Sequence, residues 1–166
     1  MKLFEIKNTK SKGTYAGMRF TSKTIKKINS VCKQFDIKNK TKNSDFHSTL
    51  LFSRKHLPDY LPLGKLDDII VGNAVKCNIW PTQGDNPKQA LVLQFKCKEL
   101  SARHKSLMDE HKGSWDFPSY IPHLTLSYDC GDDFDIKGIN KFIKDKPFDI
   151  EMDKEYQEDL DLDWGK

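Results

Sequence analysis

His47-Ser-Thr-Leu-Leu-Phe-Ser53 (HSTLLFS, residues 47–53) reads as a β-strand. A period of two places His47, Thr49, Leu51 and Ser53 on one face, and Ser48, Leu50 and Phe52 on the other. The same lettering returns at residues 123–128 (HLTLSY), where His123, Thr125 and Ser127 share a face. What precedes each copy is also alike. Tyr15 lies 32 positions before His47, and Leu91 lies 32 positions before His123. Strand, helix, loop and His-x-Thr strand run once over residues 14–53 and again over 90–128, although the two stretches share little side-chain identity. A duplicated α+β unit is the simplest layout. If the two units face each other, His47 and His123 meet across a central cleft despite the 76 residues between them.

The rest of the chain fits around that repeat. Thr14–Phe20 (TYAGMRF) follows the turn signal Lys12-Gly13 and predicts a strand. Thr21 or Ser22 then caps a helix whose buried stripe is Ile25, Ile28, Val31, Cys32 and Phe35. Residues 67–79 predict a second long strand, broken or bulged at Gly72-Asn73. Trp80-Pro81 ends it, and Gly84-Asp85-Asn86-Pro87 makes a hairpin-like connection. Ala90–Cys97 is a strongly apolar strand, and Leu100, His104, Leu107 and His111 recur at helical spacing. Ile136, Ile139, Phe142 and Ile143 support a short helix over 135–144, and Phe148, Ile150 and Met152 alternate as a last strand. Residues 1–152 therefore read as one domain, and the acidic segment 153–166 as a loose tail.

Composition bounds the function classes. The chain has 166 residues, enough for one domain with a core and too few for two ordinary ones. No window approaches the roughly 20 apolar residues of a membrane helix, and MKLFEIKNTKSKG has no apolar run of the kind a signal peptide needs. A cytoplasmic protein without a membrane partner is expected. Cys32, Cys77, Cys97 and Cys130 show no CxxC spacing and read as reduced, buried thiols. Residues 1–43 hold 12 basic and 2 acidic side chains, whereas residues 151–166 hold 2 basic and 7 acidic ones. The basic segment can focus potential on an anion. The acidic end argues against duplex DNA, whose binders neutralise many phosphates.

Each His-x-Thr unit sets an imidazole and a hydroxyl on one side of a strand, about 6.6 Å apart by strand rise. Histidine titrates nearest to cytoplasmic pH. Two imidazoles on opposite sides of a phosphate can act as general base and general acid in one displacement. The threonine hydroxyls can donate to nonbridging phosphate oxygens, so neither a metal nor another cofactor is required. His56 falls in a loop, and His104 and His111 lie on a helix beside Leu107, where packing or solvation explains them. A zinc site on His104 and His111 lacks a third ligand and an HExxH pattern.

HSTLLFSR (47–54) and PHLTLSY (122–128) resemble the paired motifs of the two-histidine (2H) phosphoesterase superfamily. With GTYAGMRF (13–20) and the run from His104 through YIPHLTLSYD (120–129), the chain is most similar to the phage anti-CBASS cyclic-oligonucleotide phosphodiesterases. The resemblance covers residues 12–150. It implies a bilobal, pseudo-twofold α+β fold with two antiparallel sheets flanking a central cleft and helices outside. It implies catalysis by His47 and His123, phosphate binding by Thr49 and Thr125, and cyclic di- and trinucleotides as substrates. Cleavage would disarm antiphage signalling in the cytoplasm of an infected bacterium. Tyr15 and Trp80 are the base-stacking candidates, Tyr120 and Trp115 weaker ones, and Arg54, Lys12 and Arg19 could add charge near the phosphates. Phe52 stands where tyrosine is common before Ser-Arg; strict alternation puts it on the face opposite His47, where it would alter packing. A monomer or weak homo-oligomer is expected. Alternatives are an RNA 2′–5′ or 2′,3′-cyclic phosphate esterase on the same scaffold, a noncatalytic cyclic-nucleotide sponge, and a general RNA binder.

Overall fold

The computed structural model describes residues 12–162. The segment read as lacking a signal peptide falls almost wholly outside them, as do the last four residues of the acidic end. The elements are β1 (Lys12–Phe20), α1 (Ser22–Gln34), β2 (Ser48–Ser53), β3 (Gly64–Pro81), β4 (Gln89–Lys96), α2 (Lys98–Asp109), β5 (His123–Ser127), α3 (Ile136–Asp145) and β6 (Asp149–Asp161). The fold is α+β, a large antiparallel sheet with flanking helices. The cap expected at Thr21 forms, its Oγ1 accepting from the Thr24 amide, and α3 has a cap of its own in Asp135, whose carboxylate accepts from the Gly138 amide.

Two expectations are corrected together. The acidic end is not a loose tail, because residues 153–161 continue β6. That strand pairs with β1 from Lys12↔Asp161 to Phe20↔Met152, and with β3 from Gly64↔Glu155 to Asn73↔Asp149. Instead of two separate sheets there is one, in the order β2-β1-β6-β3-β4-β5, joined through β6. The sequence pattern concealed the strand because one of its inward positions is a glutamate. Glu155 is 1% exposed, ion-paired with Arg103 at 2.8 Å, and also accepts from the Tyr60 hydroxyl and the Leu63 amide. A buried carboxylate with that many donors is tolerated; taking it away would strand Arg103 at a cost of about 3–5 kcal/mol.

The long strand β3 is bulged at Val75, between Ala74 and Lys76, rather than at Gly72-Asn73. Gly72 instead serves a close approach: a Cβ there would sit 2.6 Å from the Lys96 carbonyl oxygen. The core lies on one face of the sheet, where Leu50, Leu51, Leu91, Leu93, Leu124, Ile150 and Met152 meet Ile28 of α1, Leu100 and Leu107 of α2, and Ile139 and Ile143 of α3. All four cysteines are free and buried.

Read from either edge, the strand order shows the repeat. Each edge strand, β2 or β5, carries a His-x-Thr unit and pairs with the strand that precedes its own helix. The two edge strands also touch each other. A sheet whose opposite edges touch must curl, and the face away from the helices is the open face, the one that does not carry the core.

Candidate active site

Local alternation sends the motif side chains to that open face. His47, Thr49, His123 and Thr125 are partly exposed, whereas Ser48, Leu50, Leu124 and Leu126 are buried beneath them. Both motif strands then break their own period at the same place. β1 pairs Ala16 with Leu51 and Gly17 with Thr49, so Leu50 is an extra residue. β4 pairs Leu91 with Ser127 and Val92 with Thr125, so Leu126 is an extra residue. Each is a β-bulge at the leucine that ends His-x-Thr-Leu.

The bulges overturn the strict alternation expected beyond the motifs. Leu51, Ser53 and Ser127 turn into the interior, away from the histidine face, and are fully buried. Phe52 moves the other way. It pairs directly with Tyr15, 37% exposed, which puts it on the face of His47 and not opposite it.

The two imidazoles are held identically. His47 Nδ1 lies 2.8 Å from the Asp45 carbonyl oxygen, and His123 Nδ1 lies 2.8 Å from the Ile121 carbonyl oxygen. A carbonyl only accepts, so Nδ1 carries the hydrogen in each ring and Nε2 is left to exchange a proton. Burial pushes the His123 pKa down, and repulsion from His47 adds to this against the raising effect of the Ile121 hydrogen bond.

The surroundings of the two units differ. The Tyr15 hydroxyl lies 3.1 Å from Thr49 Oγ1, and its ring meets His47 edge-on at 6.1 Å. Burial raises the Tyr15 pKa, which keeps the phenol protonated and able to donate to Thr49. With Tyr15 as donor, Thr49 keeps its own hydroxyl hydrogen for another acceptor. On the other side the Trp80 ring meets His123 edge-on at 4.7 Å. Tyr15 and Trp80 thus stand one beside each imidazole.

The other candidates are placed differently. Arg54 makes a bidentate bond with Asp116, with Nη2 at 2.9 Å, and contacts no motif residue. The Tyr120 ring is stacked on His104 at 4.1 Å, and its hydroxyl is taken by backbone, donating to the Thr49 carbonyl at 2.8 Å. Burial lowers the pKa of His104, a packed histidine as expected from its helix position. Trp115 packs edge-on against both of these rings. Arg19 donates to the carbonyls of Ser44 and Phe46, bracing the approach to His47.

Sequence reading missed Tyr156, because it lies in the supposed tail. It pairs with Gly17, and its ring lies 6.0 Å from Tyr15 and under the Arg19 guanidinium at 4.6 Å. Gly17 makes room for it: a Cβ there would stand 2.7 Å from the Tyr156 hydroxyl. Asn78 and Gln94 were also missed. They pair with Val92 and with His123 through β4, which places both amides on the open face beside the second motif. Single polar residues in apolar strands carry no signal of this kind until the register is known. Among the described residues, no group of three His, Cys, Asp or Glu side chains is placed to hold a metal ion, and no helix is long and apolar enough to cross a membrane.

One antiparallel sheet with a His-x-Thr unit at each edge, the edges in contact, is the arrangement of a two-histidine phosphoesterase-like protein. Comparison with known proteins narrows this. The model of the family described as anti-CBASS protein Acb1 matches residues 12–166. The anti-CBASS protein Acb1 of Acinetobacter phage Ac42 is 33% identical over 99% of both chains. Those of Vibrio phage KVP40 (32%, 93% of this chain and 91% of that one) and Enterobacteria phage T4 (29%, 93% of each) are also similar. The chain belongs to the Acb1 anti-CBASS family.

Proposed function

We propose that the protein is a metal-independent phosphodiesterase that cleaves 3′–5′ bonds of cyclic di- and trinucleotide messengers, and so blunts CBASS immunity in the cytoplasm of an infected bacterium. The observation that carries the reading is the matched pair of imidazoles: two histidines on touching edge strands, each with Nδ1 committed to the carbonyl two residues before it and Nε2 open. The family to which the chain belongs, whose members are named for anti-CBASS action, supports the substrate class.

The reaction follows from those parts. One Nε2 takes the proton of a ribose 2′-hydroxyl, whose oxygen attacks the adjacent phosphorus. The P–O5′ bond breaks, and the second imidazole, protonated at Nε2, gives its proton to the departing 5′-oxygen. Thr49 and Thr125 donate to the nonbridging oxygens, where charge gathers in the transition state. The product is a linear oligonucleotide ending in a 2′,3′-cyclic phosphate, which water can open with the proton roles reversed. Tyr15 and Trp80 flank the bases, since an aromatic ring stacks on any base face.

Product analysis tests this directly. A 3′,3′-cyclic dinucleotide, a 2′–5′ oligoadenylate and a 2′,3′-cyclic nucleotide are incubated side by side with the protein in excess EDTA. Linearisation of the cyclic dinucleotide is the expected result. Turnover of the other two alone would reassign the enzyme to RNA-end chemistry. Recovery of the intact cyclic dinucleotide from denatured protein would make it a sponge.

A further inference from the structure

The two bulges have a consequence for the cleft. In an edge strand the outward carbonyls have no ladder partner, and a bulge frees one more. In the first motif the Thr49 and Leu50 carbonyls are both taken by the second half of the chain: Tyr120 Oη donates to Thr49 at 2.8 Å and His104 Nδ1 donates to Leu50 at 2.8 Å. In the second motif the matching carbonyls, Thr125 and Leu126, are both taken by the first half. Thr41 Oγ1 donates to Thr125 at 3.0 Å and the Thr41 amide donates to Leu126 at 2.8 Å.

The pattern is reciprocal. Each motif's threonine carbonyl accepts from a hydroxyl on the segment leading into the other motif: Thr41 precedes His47, and Tyr120 precedes His123. Neither hydroxyl faces open space, and neither is bonded within its own half. Tyr120 is held rigidly, its ring stacked on His104 at an interplanar angle of 8°. Thr41 is 7% exposed. Beside it, the Ser127 hydroxyl donates to the Lys38 carbonyl at 2.7 Å, and Lys40 bridges to Ser127, so the contact continues along the seam.

We propose that these crossed hydrogen bonds set the separation of the two imidazoles, and that Tyr120 and Thr41 are positioning residues for the reaction. The claim goes beyond the phosphodiesterase reading and rests on it for its kinetic arm. A hydrogen bond holds its atoms within a few tenths of an ångström. General acid and base must both reach one phosphate, and a misplacement of about 1 Å can cost on the order of 10²-fold in rate. Thr49 and Thr125 are each two residues from their histidine, so a pull on the threonine carbonyl is passed along one stretch of extended backbone.

The test uses Tyr120→Phe, which keeps the stacked ring and removes the hydroxyl, and Thr41→Val, which keeps shape and the backbone amide. With a 3′,3′-cyclic dinucleotide as probe, each variant should lose about tenfold or more in kcat while KM moves less than about threefold, the signature of an interaction made in the transition state. Thr41→Ser should recover most of kcat. Because both bonds set one distance, the double variant should lose less than the product of the single losses. A loss confined to KM, a multiplicative double variant or undiminished kcat would overturn the proposal. A second measurement needs no turnover: histidine-ring NMR of the free protein. The His47 and His123 ring signals should both shift in each variant, although neither ring touches the removed hydroxyl; shifts limited to the mutated side would reject the clamp. A wild-type protein inert toward the probe would sink the phosphodiesterase reading and leave the clamp to be decided by the ring signals. Should one variant fail to fold, by circular dichroism, the other carries both measurements.

Discussion

The half of the molecule around His47 and the half around His123 share a backbone and differ in their walls. Each has the imidazole pinned through Nδ1 to the carbonyl two residues back, and a bulge at the leucine three residues on. Around His47 the wall is phenolic, with Tyr15 bonded to Thr49 and Tyr156 behind it. Around His123 it is an indole, with the amides of Asn78 and Gln94 on the same face. On the proposed reading, the parts the two halves share are those for proton transfer, and the parts in which they differ are those that would hold the ligand.

The histidines give the sharpest way to break that comparison. His47→Ala and His123→Ala should each slow cleavage of a cyclic dinucleotide by about 10²-fold or more, the usual scale for losing an acid-base group. If one substitution is nearly silent in a quenched-flow assay, the equivalence of the halves is gone. The walls should respond unequally. Trp80→Ala should raise KM by about 5- to 150-fold, since a stacked base contributes about 1–3 kcal/mol. Tyr15→Phe keeps its ring and loses only the bond to Thr49, so its effect should fall on kcat, by about threefold to tenfold for one neutral hydrogen bond of roughly 0.5–1.5 kcal/mol. Equal KM effects from both would show the walls to be interchangeable.

Gly17 probes the same contrast more gently. Gly17→Ala pushes a methyl group against the Tyr156 ring, with Cζ 2.8 Å away, and leaves the second half untouched. A rise in KM of a few-fold, with an overpacking cost of about 1–3 kcal/mol read from thermal unfolding, is the expected result.

The smallest expected effect concerns pH and stability. Burial depresses the pKa of both His123 and His104 in the folded chain. The unfolded chain therefore binds protons more readily, with an ordinary value near about 6.5, and folding stability rises with pH between the depressed values and that one. The stabilisation is present above that window and is lost as pH falls through it. Melting temperature should drop on acidification across this range, and His123→Gln should flatten part of the slope.

Much of the candidate site was legible from residue order alone. His47, Thr49, His123 and Thr125 could be picked out because a period of two and a repeated spacing are local properties. Tyr15 and Trp80 also fall beside the imidazoles. Other placements came only with the fold, at particular residues. Arg54 is drawn off by Asp116, a partner 62 positions away. Tyr120 turns its hydroxyl to backbone. Phe52 changes face because one inserted residue, Leu50, inverts all that follows on the strand.

The amino-acid order by itself determined the repeated unit, the paired imidazoles and hydroxyls, and the helix that follows each leading strand, because all of these are set by neighbours within a few residues. Only the folded chain decided that an acidic segment is the strand joining both halves. A buried glutamate is admissible there when Arg103 and Tyr60 arrive from elsewhere. It also decided the bulges, and with them which carbonyls the opposite half could seize, because register belongs to pairs of strands and to no single stretch of sequence.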